Sequence, residues 1–341
     1  TGTVAGFAAN QSSDPAGGSS LEIRGPTSIT AGTDPMIVVD GAIYNGSLRD
    51  INPVDIETID ILKDASSAAV YGAKAASGGI LITTTKGRRG KPTINYSSRI
   101  GTTHPTEARR PYSPEEYVQF RADWFRTVFP DQQYHYYTSP TDLPDDVSIE
   151  EWRSMSESPL EDNTREFLRR LAFFPIEQNN YINGETTDWY DVVMRNGMRQ
   201  THDLSISGGS ENATYYWSLG YVSNEGLRVG DEFSTIRSRL NVQYDVVDWL
   251  GVGLNSQFAD RDEGNVPASL GFYANSPYGQ IYDENGNLER LAHGHTFNPL
   301  LEHQLQDRAR RIDSFFGKLY ADISLPYGIE HQISVQPRFE T

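Results

Sequence analysis

Seven stretches of the chain alternate apolar and polar side chains with a period of two residues. In residues 234–246 the even positions are Ser, Ile, Ser, Leu, Val, Tyr and Val, whereas the odd positions include Arg237, Arg239, Gln243 and Asp245. No apolar row contains Asp, Glu, Lys or Arg. Successive side chains of a strand point to opposite faces, so the pattern predicts antiparallel strands with two unlike faces. The predicted strands are Ile94–Ile100, Leu204–Ile206, Asn212–Ser223, Ser234–Val246, Leu250–Phe258, Phe315–Leu325 and Ile329–Val335.

Alternation alone is compatible with two environments. In a soluble sandwich the apolar row faces a core and the polar row faces water. In a transmembrane barrel the apolar row faces lipid and the polar row faces a wet lumen. The connections favour the barrel, because longer links alternate with tight turns, as in an up-and-down barrel with long outer loops. The longer links are about 102–200, 224–233 and 261–310, and the turns are 208–211, 247–248 and 326–328.

A lipid-facing wall also explains why the apolar rows lack charges, since an arginine at the bilayer midplane costs about 2–4 kcal/mol. Aromatic residues near the strand ends fit the girdles that flank a transmembrane barrel. These residues are Tyr215, Tyr244, Trp249 and Phe258.

The composition divides the chain near residues 87–92. The first 99 residues have balanced charge and only four aromatic residues, although the whole chain of 341 residues has a net charge of −17 and 38 aromatics. We therefore predict a domain over 1–91 and a second over 92–341, with outer loops at about 102–200 and 261–310.

The acidic balance argues against nucleic-acid binding, and the absence of Cys excludes disulfides and thiolate sites. No secretion signal follows Thr1, as expected of a cytosolic chain, of a processed chain, or of one that starts within a longer protein.

The first domain is predicted to be small and mixed α/β. The apolar run Pro35–Gly41 ends in a turn, Asn52–Glu57 has the pattern of a helix start, and strands are expected at Thr58–Leu62 and Gly79–Thr85. A short helix is expected after Asp64. Few large apolar side chains are available, so this domain is expected to need walls around it.

These segments resemble the plug and first barrel strands of SusC/RagA-type TonB-dependent transporters. The resemblance lies in Pro35–Gly41, Leu48–Glu57, Ile59–Gly79 and Ile80–Gly87, and downstream in Leu204–Gly209, Tyr215–Tyr221 and Asp248–Asn255. It implies a transmembrane antiparallel β-barrel of about 22 strands in the full protein, of which about seven are present here. It also implies an N-terminal mixed α/β plug inside the lumen.

The resemblance implies a nutrient importer without enzymatic activity. Its expected partners are a SusD-like surface lipoprotein, TonB with its inner-membrane energising complex, outer-membrane lipid, and an oligosaccharide or peptide substrate, in a Gram-negative bacterium of the Bacteroidetes type. A non-transporting scaffold of the same fold and a soluble β-sandwich adhesin or glycan-binding protein are the alternatives. The expected plug motif is Asp40, Gly41, Asn52, Pro53, Asp55, Glu57, Lys63, Asp64, Tyr71 and Gly72, and the candidate lumen contacts are Arg99, Arg237, Arg239, Gln243, Asp245, Lys318 and Asp322.

No residues with catalytic, cofactor-binding or metal-binding spacing stand out. His293 and His295 have no third ligand nearby and are assigned to a solvated loop, and no Ser/His/Asp set has a nucleophile-elbow context. An amphipathic helix is expected from Ser113 to Phe129 in the first outer loop. The acidic outer loops disfavour anionic cargo through repulsion, which salt screens beyond about 8–10 Å.

Overall fold

The computed structural model describes residues 7–11, 19–23, 35–62, 78–105, 110–270, 275–306, 308 and 310–341. Four residues of the expected plug motif, Lys63, Asp64, Tyr71 and Gly72, lie outside the described residues, as does the short helix expected after Asp64. Among the described helices, none combines the length and apolar character needed to cross a membrane.

The first part of the chain forms a small four-stranded sheet. Strands β1 (Phe7–Gln11) and β2 (Ser19–Ile23) pair with each other, and the four strands that follow are arranged in the order β4-β3-β6-β5. Strands β3 and β6 are parallel, and the other neighbours are antiparallel. The four strands are β3 (Met36–Val39), β4 (Ala42–Tyr44), β5 (Ile56–Leu62) and β6 (Gly79–Thr84).

A single 3₁₀ turn replaces the helix expected after Asn52. The side chain of Asn52 accepts a hydrogen bond from the Val54 amide at 3.3 Å, as an N-cap does. The 3₁₀ turn Pro53–Asp55 then ends, because Ile56 begins β5 and the segment pairs with β6. The cap was predicted correctly, whereas the continuing helix was wrong. A similar 3₁₀ turn, Leu48–Asp50, precedes it.

The rest of the chain builds a large antiparallel sheet. Its strand order is β7-β8-β9-β10-β11-β14-β15, with β16 also paired to β14, and β12 and β13 form a separate hairpin. All seven predicted strands are confirmed. The ten strands are β7 (Gly90–Thr103), β8 (Gly197–Gly209), β9 (Ala213–Glu225), β10 (Glu232–Val247), β11 (Leu250–Asp262), β12 (Leu291–His293), β13 (Thr296–Phe297), β14 (Arg311–Leu325), β15 (Ile329–Val335) and β16 (Arg338–Glu340).

The large sheet has two different ends. The links 104–196, 226–231 and 263–310 all lie at one end, which we call the loop end, because neighbouring strands are antiparallel. The two- and three-residue links 210–212, 248–249 and 326–328 lie at the other, the turn end. The predicted alternation of long and short connections is therefore confirmed.

The two long links at the loop end form a compact helical unit. Helix α1 begins as predicted, with a capping box in which Ser113 and Glu116 bond each other's backbone amides. The unit encloses an aromatic core of Tyr117, Trp152, Phe167, Phe173 and, from the second long link, Tyr278. The helices are α1 (Pro114–Val128), α2 (Ile149–Ser154), α3 (Asn163–Arg170), α4 (Pro175–Asn183), α5 (Trp189–Val193) and α6 (Leu301–Leu305).

Candidate functional site

The central strands of the large sheet bury their polar side chains and expose their apolar ones. On the outer face, Val252 is 38% exposed and Leu319 is 59% exposed. On the inner face, Arg239 is 2% exposed. A soluble sandwich has the opposite arrangement. The other buried inner-face polar residues include Asp203, Ser218, Arg237, Asn241, Asn255, Gln257, Arg261 and Lys318.

The exposed apolar band has the height of a membrane. On β10 it runs from Ile236 to Val246, which is ten residue steps. At about 3.4 Å per residue this is ~34 Å along the strand. With the ~45° tilt of barrel strands it gives ~24 Å, close to the ~25 Å band of outer-membrane barrels. The outer face is therefore suited to lipid.

The small sheet covers the inner face, and Asp40 is its first anchor. The carboxylate of Asp40 accepts a hydrogen bond from Arg239 at 2.9 Å and two from Thr84 at 2.8 and 2.6 Å. Its backbone oxygen accepts a bond from Lys318 Nζ at 2.9 Å. Asp40 and Gly41 both have positive φ, 50° and 80°, as a tight hairpin turn between β3 and β4 requires. The turn thus presents its carboxylate to Arg239 and its backbone oxygen to Lys318, both of the wall.

A second anchor lies at Asp50, nearer the loop end. Its carboxylate forms an ion pair with Arg261 and accepts a hydrogen bond from Ser314 at 3.1 Å. Its backbone oxygen accepts a bond from Gln257 at 2.9 Å. The neighbouring Arg49 forms an ion pair with Glu263 at 3.4 Å.

The turn at Asn52–Asp55 supplies two further contacts. Asn52 donates to Asp203 at 2.8 Å, and Tyr216 donates to Asp55 at 2.7 Å. Burial raises the pKa of the Asp55 carboxyl, although the hydrogen bond from Tyr216 opposes that effect. Apart from the two bonds from Thr84 to Asp40, each of these contacts joins a polar group of residues 40–55 to a polar group of the wall.

The predicted lumen residues fall into two groups. Arg237, Arg239 and Lys318 contact the small sheet, with Arg237 donating to the backbone oxygens of Arg49 and Ile51 at 3.2 and 3.1 Å. The others lie away from its four strands. Asp245 forms an ion pair with Arg89 at 3.1 Å, Asp322 accepts from Gln332 at 2.7 Å, Gln243 is half-buried, and Arg99 is exposed on β7.

The plug-motif residues also differ in position. Asp40, Asn52 and Asp55 touch the wall, as described above, whereas Pro53 and Glu57 are exposed, with Glu57 3.5 Å from Arg88. Sequence reasoning missed several contact residues of the wall. Most of these residues lie at inward-facing positions of their strands, as Arg237 and Arg239 do. The alternation of polar and apolar positions in the sequence could therefore have identified them. They are Asp203, Tyr216, Asn241, Gln257, Arg261, Glu263 and Ser314.

Within the described ranges no three His, Asp or Glu side chains are grouped as metal ligands. The expectation of a solvated loop at His293 was wrong. His293 ends β12 and is 7% exposed, and burial lowers the pKa of its imidazole. His295 is not buried with it and packs edge-on against Phe174.

Comparisons with known proteins agree with this geometry. The family model described as TonB-dependent Receptor Plug Domain matches residues 1–79. TonB-dependent receptor P39 of Formosa agariphila is 28% identical over 96% of this chain and 28% of the relative. TonB-dependent receptor SusC of Bacteroides thetaiotaomicron is 29% identical over 76% of this chain and 22% of the relative. The chain thus spans less than a third of the length of these curated relatives.

The fold is shared with solved structures of the RagAB peptide importer. Its closed-closed state superimposes with a TM-score of 0.70 at 22% sequence identity, covering 100% of this chain and 38% of the other. Its open-open state gives a TM-score of 0.71. The plug match over residues 1–79, the similarity to curated TonB-dependent receptors and the fold shared with RagAB together support a SusC/RagA-type TonB-dependent receptor fragment, with plug residues followed by an antiparallel run of strands.

Proposed function

We propose that the chain is the plug and the first part of the barrel of an outer-membrane importer driven by TonB. The observation that carries the proposal is the reversed sheet, with apolar side chains exposed and polar side chains buried against the small sheet. In this proposal residues 1–91 form the plug and residues 92–341 form barrel strands with outer loops. The open edges of β7 and β15 pair with further strands, since unpaired backbone groups are costly in lipid.

The composition of the interface supports a plug that moves. A typical hydrogen bond contributes only about 0.5–1.5 kcal/mol net, because water replaces the lost partner. Contacts such as those from Asn52 and Tyr216 can therefore be exchanged for water one at a time. An apolar interface of similar size would resist separation, since each Å² exposed costs roughly 25 cal/mol. A pull transmitted by TonB then opens a path without unfolding the barrel.

The cargo and the capping partner are part of the same proposal. We assign oligosaccharides or peptides as cargo and a SusD-like lipoprotein as the partner over the loop end. The support is the similarity to the receptor SusC and to the RagAB peptide importer. The site of action is the outer membrane of a Bacteroidetes-type bacterium.

An engineered disulfide between plug and wall tests the movement. A Cβ added at Gly220 would lie 3.3 Å from Cγ of Asn52, the position that Sγ takes in N52C, so the two side chains are adjacent, as a disulfide requires. The sequence contains no other Cys. We expect cells carrying the receptor with N52C and G220C to import no cargo until a reductant is added.

The control disulfide joins Leu219 and Ser238, which face each other on β9 and β10 and do not involve the plug. Uptake is measured as receptor-dependent loss of maltooligosaccharides and tryptic peptides from the medium. Normal uptake by the locked plug, with the control also active, would refute a moving plug. If the wild-type receptor removes no compound from either mixture, the scaffold alternative is favoured.

A further inference from the structure

A small polar cavity lies where the two long links of the loop end meet. Its volume is about 290 Å³, enough for one functional group of a larger molecule, since whole ligands occupy sites of roughly 300–1,000 Å³. One wall is the end of α4 with the residues that follow it, and the other is residues 279–282 of the second long link. Both walls consist of described residues, so the cavity does not depend on an open edge of the sheet. We call it the seam notch, and it is lined by Asn180, Glu185, Thr186, Thr187, Gly279, Gln280, Ile281 and Tyr282.

Hydrogen bonds between the two links fix the walls of the seam notch. Asn180 Nδ2 donates to the backbone oxygen of Tyr278 at 2.8 Å. The backbone amide of Thr187 donates to the oxygen of Pro277 at 2.7 Å, and its hydroxyl donates to the oxygen of Gly279 at 2.8 Å. The notch is therefore formed before a ligand arrives, and such preorganisation lowers the free-energy cost of binding.

The polar groups that remain unused in the seam notch include several hydrogen-bond acceptors. The amide nitrogen of Asn180 is bonded to Tyr278, and that of Gln280 donates to Glu289 at 3.1 Å. Each amide also carries an oxygen, and neither oxygen accepts a hydrogen bond from the described residues. Asn180 is only 7% exposed, so its free oxygen belongs to the inner wall of the notch. The Glu185 carboxylate adds two more acceptor oxygens and likewise has no partner among the described residues.

The electrostatic environment of the seam notch favours a positive charge. Glu289, which accepts the bond from Gln280, is a second carboxylate that forms no ion pair within the described ranges. The notch also lies beside the C-terminal end of α4, which is capped by Gly184, and the carbonyl groups at a helix C-terminus attract cations. The ring of Tyr282 is 47% exposed and offers an aromatic face to a cation. The net charge of the chain, −17, has the sign that attracts such a ligand.

We propose that the seam notch binds an ammonium group of the cargo, carried either by a lysine side chain of a peptide or by an amino sugar of an oligosaccharide. An ammonium group has three N–H donors and no acceptor, which matches the free oxygens of Asn180, Gln280 and Glu185. A carboxylate of the cargo would instead face the like charge of Glu185. The inference rests on the proposed function and deepens it, because it names the chemical group by which cargo is held at the loop end.

Calorimetry with the purified full receptor in detergent tests the proposal. The peptide probe is Ala-Lys-Ala with both ends blocked, compared with the same peptide acetylated on the lysine side chain. The sugar probe is the trimer of glucosamine, compared with the trimer of N-acetylglucosamine. We expect the free amine of at least one pair to bind at least about tenfold more tightly than its acetylated form, as hydrogen bonds to charged groups allow. Added salt should reduce that difference.

The variants separate a direct contact from a change in fold. E185Q removes the charge but keeps the shape of the side chain, so we expect about a tenfold loss of affinity for the free amine and no change for the acetylated probe. E185D keeps the charge and should retain part of the affinity. The control E157Q removes an exposed carboxylate of the helical unit outside the notch. An unchanged melting curve shows that each variant is folded.

The outcomes distinguish this proposal from the one on which it rests. Equal affinity for free and acetylated probes, no binding of either free amine, or equal losses in E185Q and E157Q would each overturn the ammonium site. The proposed import function stands in all three cases if the reduced N52C/G220C receptor takes up cargo and the oxidised one does not. The free amine that binds identifies the source of the ammonium group.

Discussion

The ion pair between Arg239 and Asp40 is predicted to be a main contributor to plug retention. The N···O distance is 2.9 Å, and the side chains are only 2% and 6% exposed. Replacing Arg239 with Met leaves a buried carboxylate without its cation, and breaking such a pair costs about 3–5 kcal/mol. Two hydrogen bonds from Thr84 still solvate Asp40. We therefore expect the lower end, about 3 kcal/mol of plug docking free energy.

Native-state hydrogen exchange of the plug strand Met36–Val39 measures this energy. At about 1.4 kcal/mol per factor of ten, R239M should speed exchange there by about a hundredfold. The double variant D40N/R239M removes both charges and should return to within about tenfold of the wild type, since an uncharged pair leaves no stranded ion.

The matched control is R311M, which breaks the ion pair with Asp260 on the outer face, where Arg311 is 66% exposed. Exposed pairs contribute at most about 1 kcal/mol, so exchange in the plug should be unchanged. An R239M receptor that exchanges within threefold of wild type would contradict the reasoning. The reasoning would also be contradicted if the loss of docking free energy in D40N/R239M equalled the sum of the losses in D40N and R239M.

Two further predictions concern the wall and the loop end. Leu240→Arg, in the middle of the apolar band, should cost about 2–4 kcal/mol of barrel stability and reduce the amount of folded, heat-modifiable protein on gels. Gln243→Arg on the inner face should leave that amount unchanged. Equal losses in the two variants would argue against a lipid-facing band. Burial by itself would raise the pKa of Glu166, but hydrogen bonds from Ser156 and Arg170 lower it to about 2. A depressed carboxyl pKa stabilises the folded state above the unfolded value of about 4.5, and this stability is lost as the pH falls towards 2. Glu166→Gln should therefore destabilise the helical unit at pH 7, measured by urea unfolding, and flatten its loss of stability below pH 4.5; an unchanged slope would contradict the prediction.

The strands were predictable because the constraint on them is local. Each row from Ser234 to Val246 alternates without exception, and alternation needs no knowledge of distant residues. The start of α1 was predictable for the same reason, since Ser113 and Glu116 form the capping box within four residues. The helix expected after Asn52 failed because β6, more than twenty residues away, pairs with Ile56–Leu62. Tertiary pairing there overrides a local signal.

The contacts between plug and wall could not be predicted in the same way. Asp40 and Arg239 are 199 residues apart, so their meeting depends on the register of every strand between them. The polar row showed that Arg239 and Asn241 share a face, but not at which level of the bore each would lie. The resemblance to the plug motif predicted Asp40 and Asn52 as functional residues of the plug. Asp50 had no local pattern that would have singled it out. Its partner Arg261 lies at the end of β11, beyond the predicted strand.

Apolar contacts hold the helical unit at the loop end together, whereas mainly polar contacts hold the plug to the wall. The helical unit at the loop end is held by an aromatic core, with Trp152 and Leu168 fully buried, and opening it would expose large apolar surfaces. The plug meets the wall through hydrogen bonds and ion pairs, and among the described residues Phe316 is the single wall member of its apolar cluster. Water can replace the polar contacts but not the apolar ones. If TonB pulls on the plug as proposed, the force meets its weakest resistance along the inner face of the wall, and the loop end keeps its shape while the plug moves.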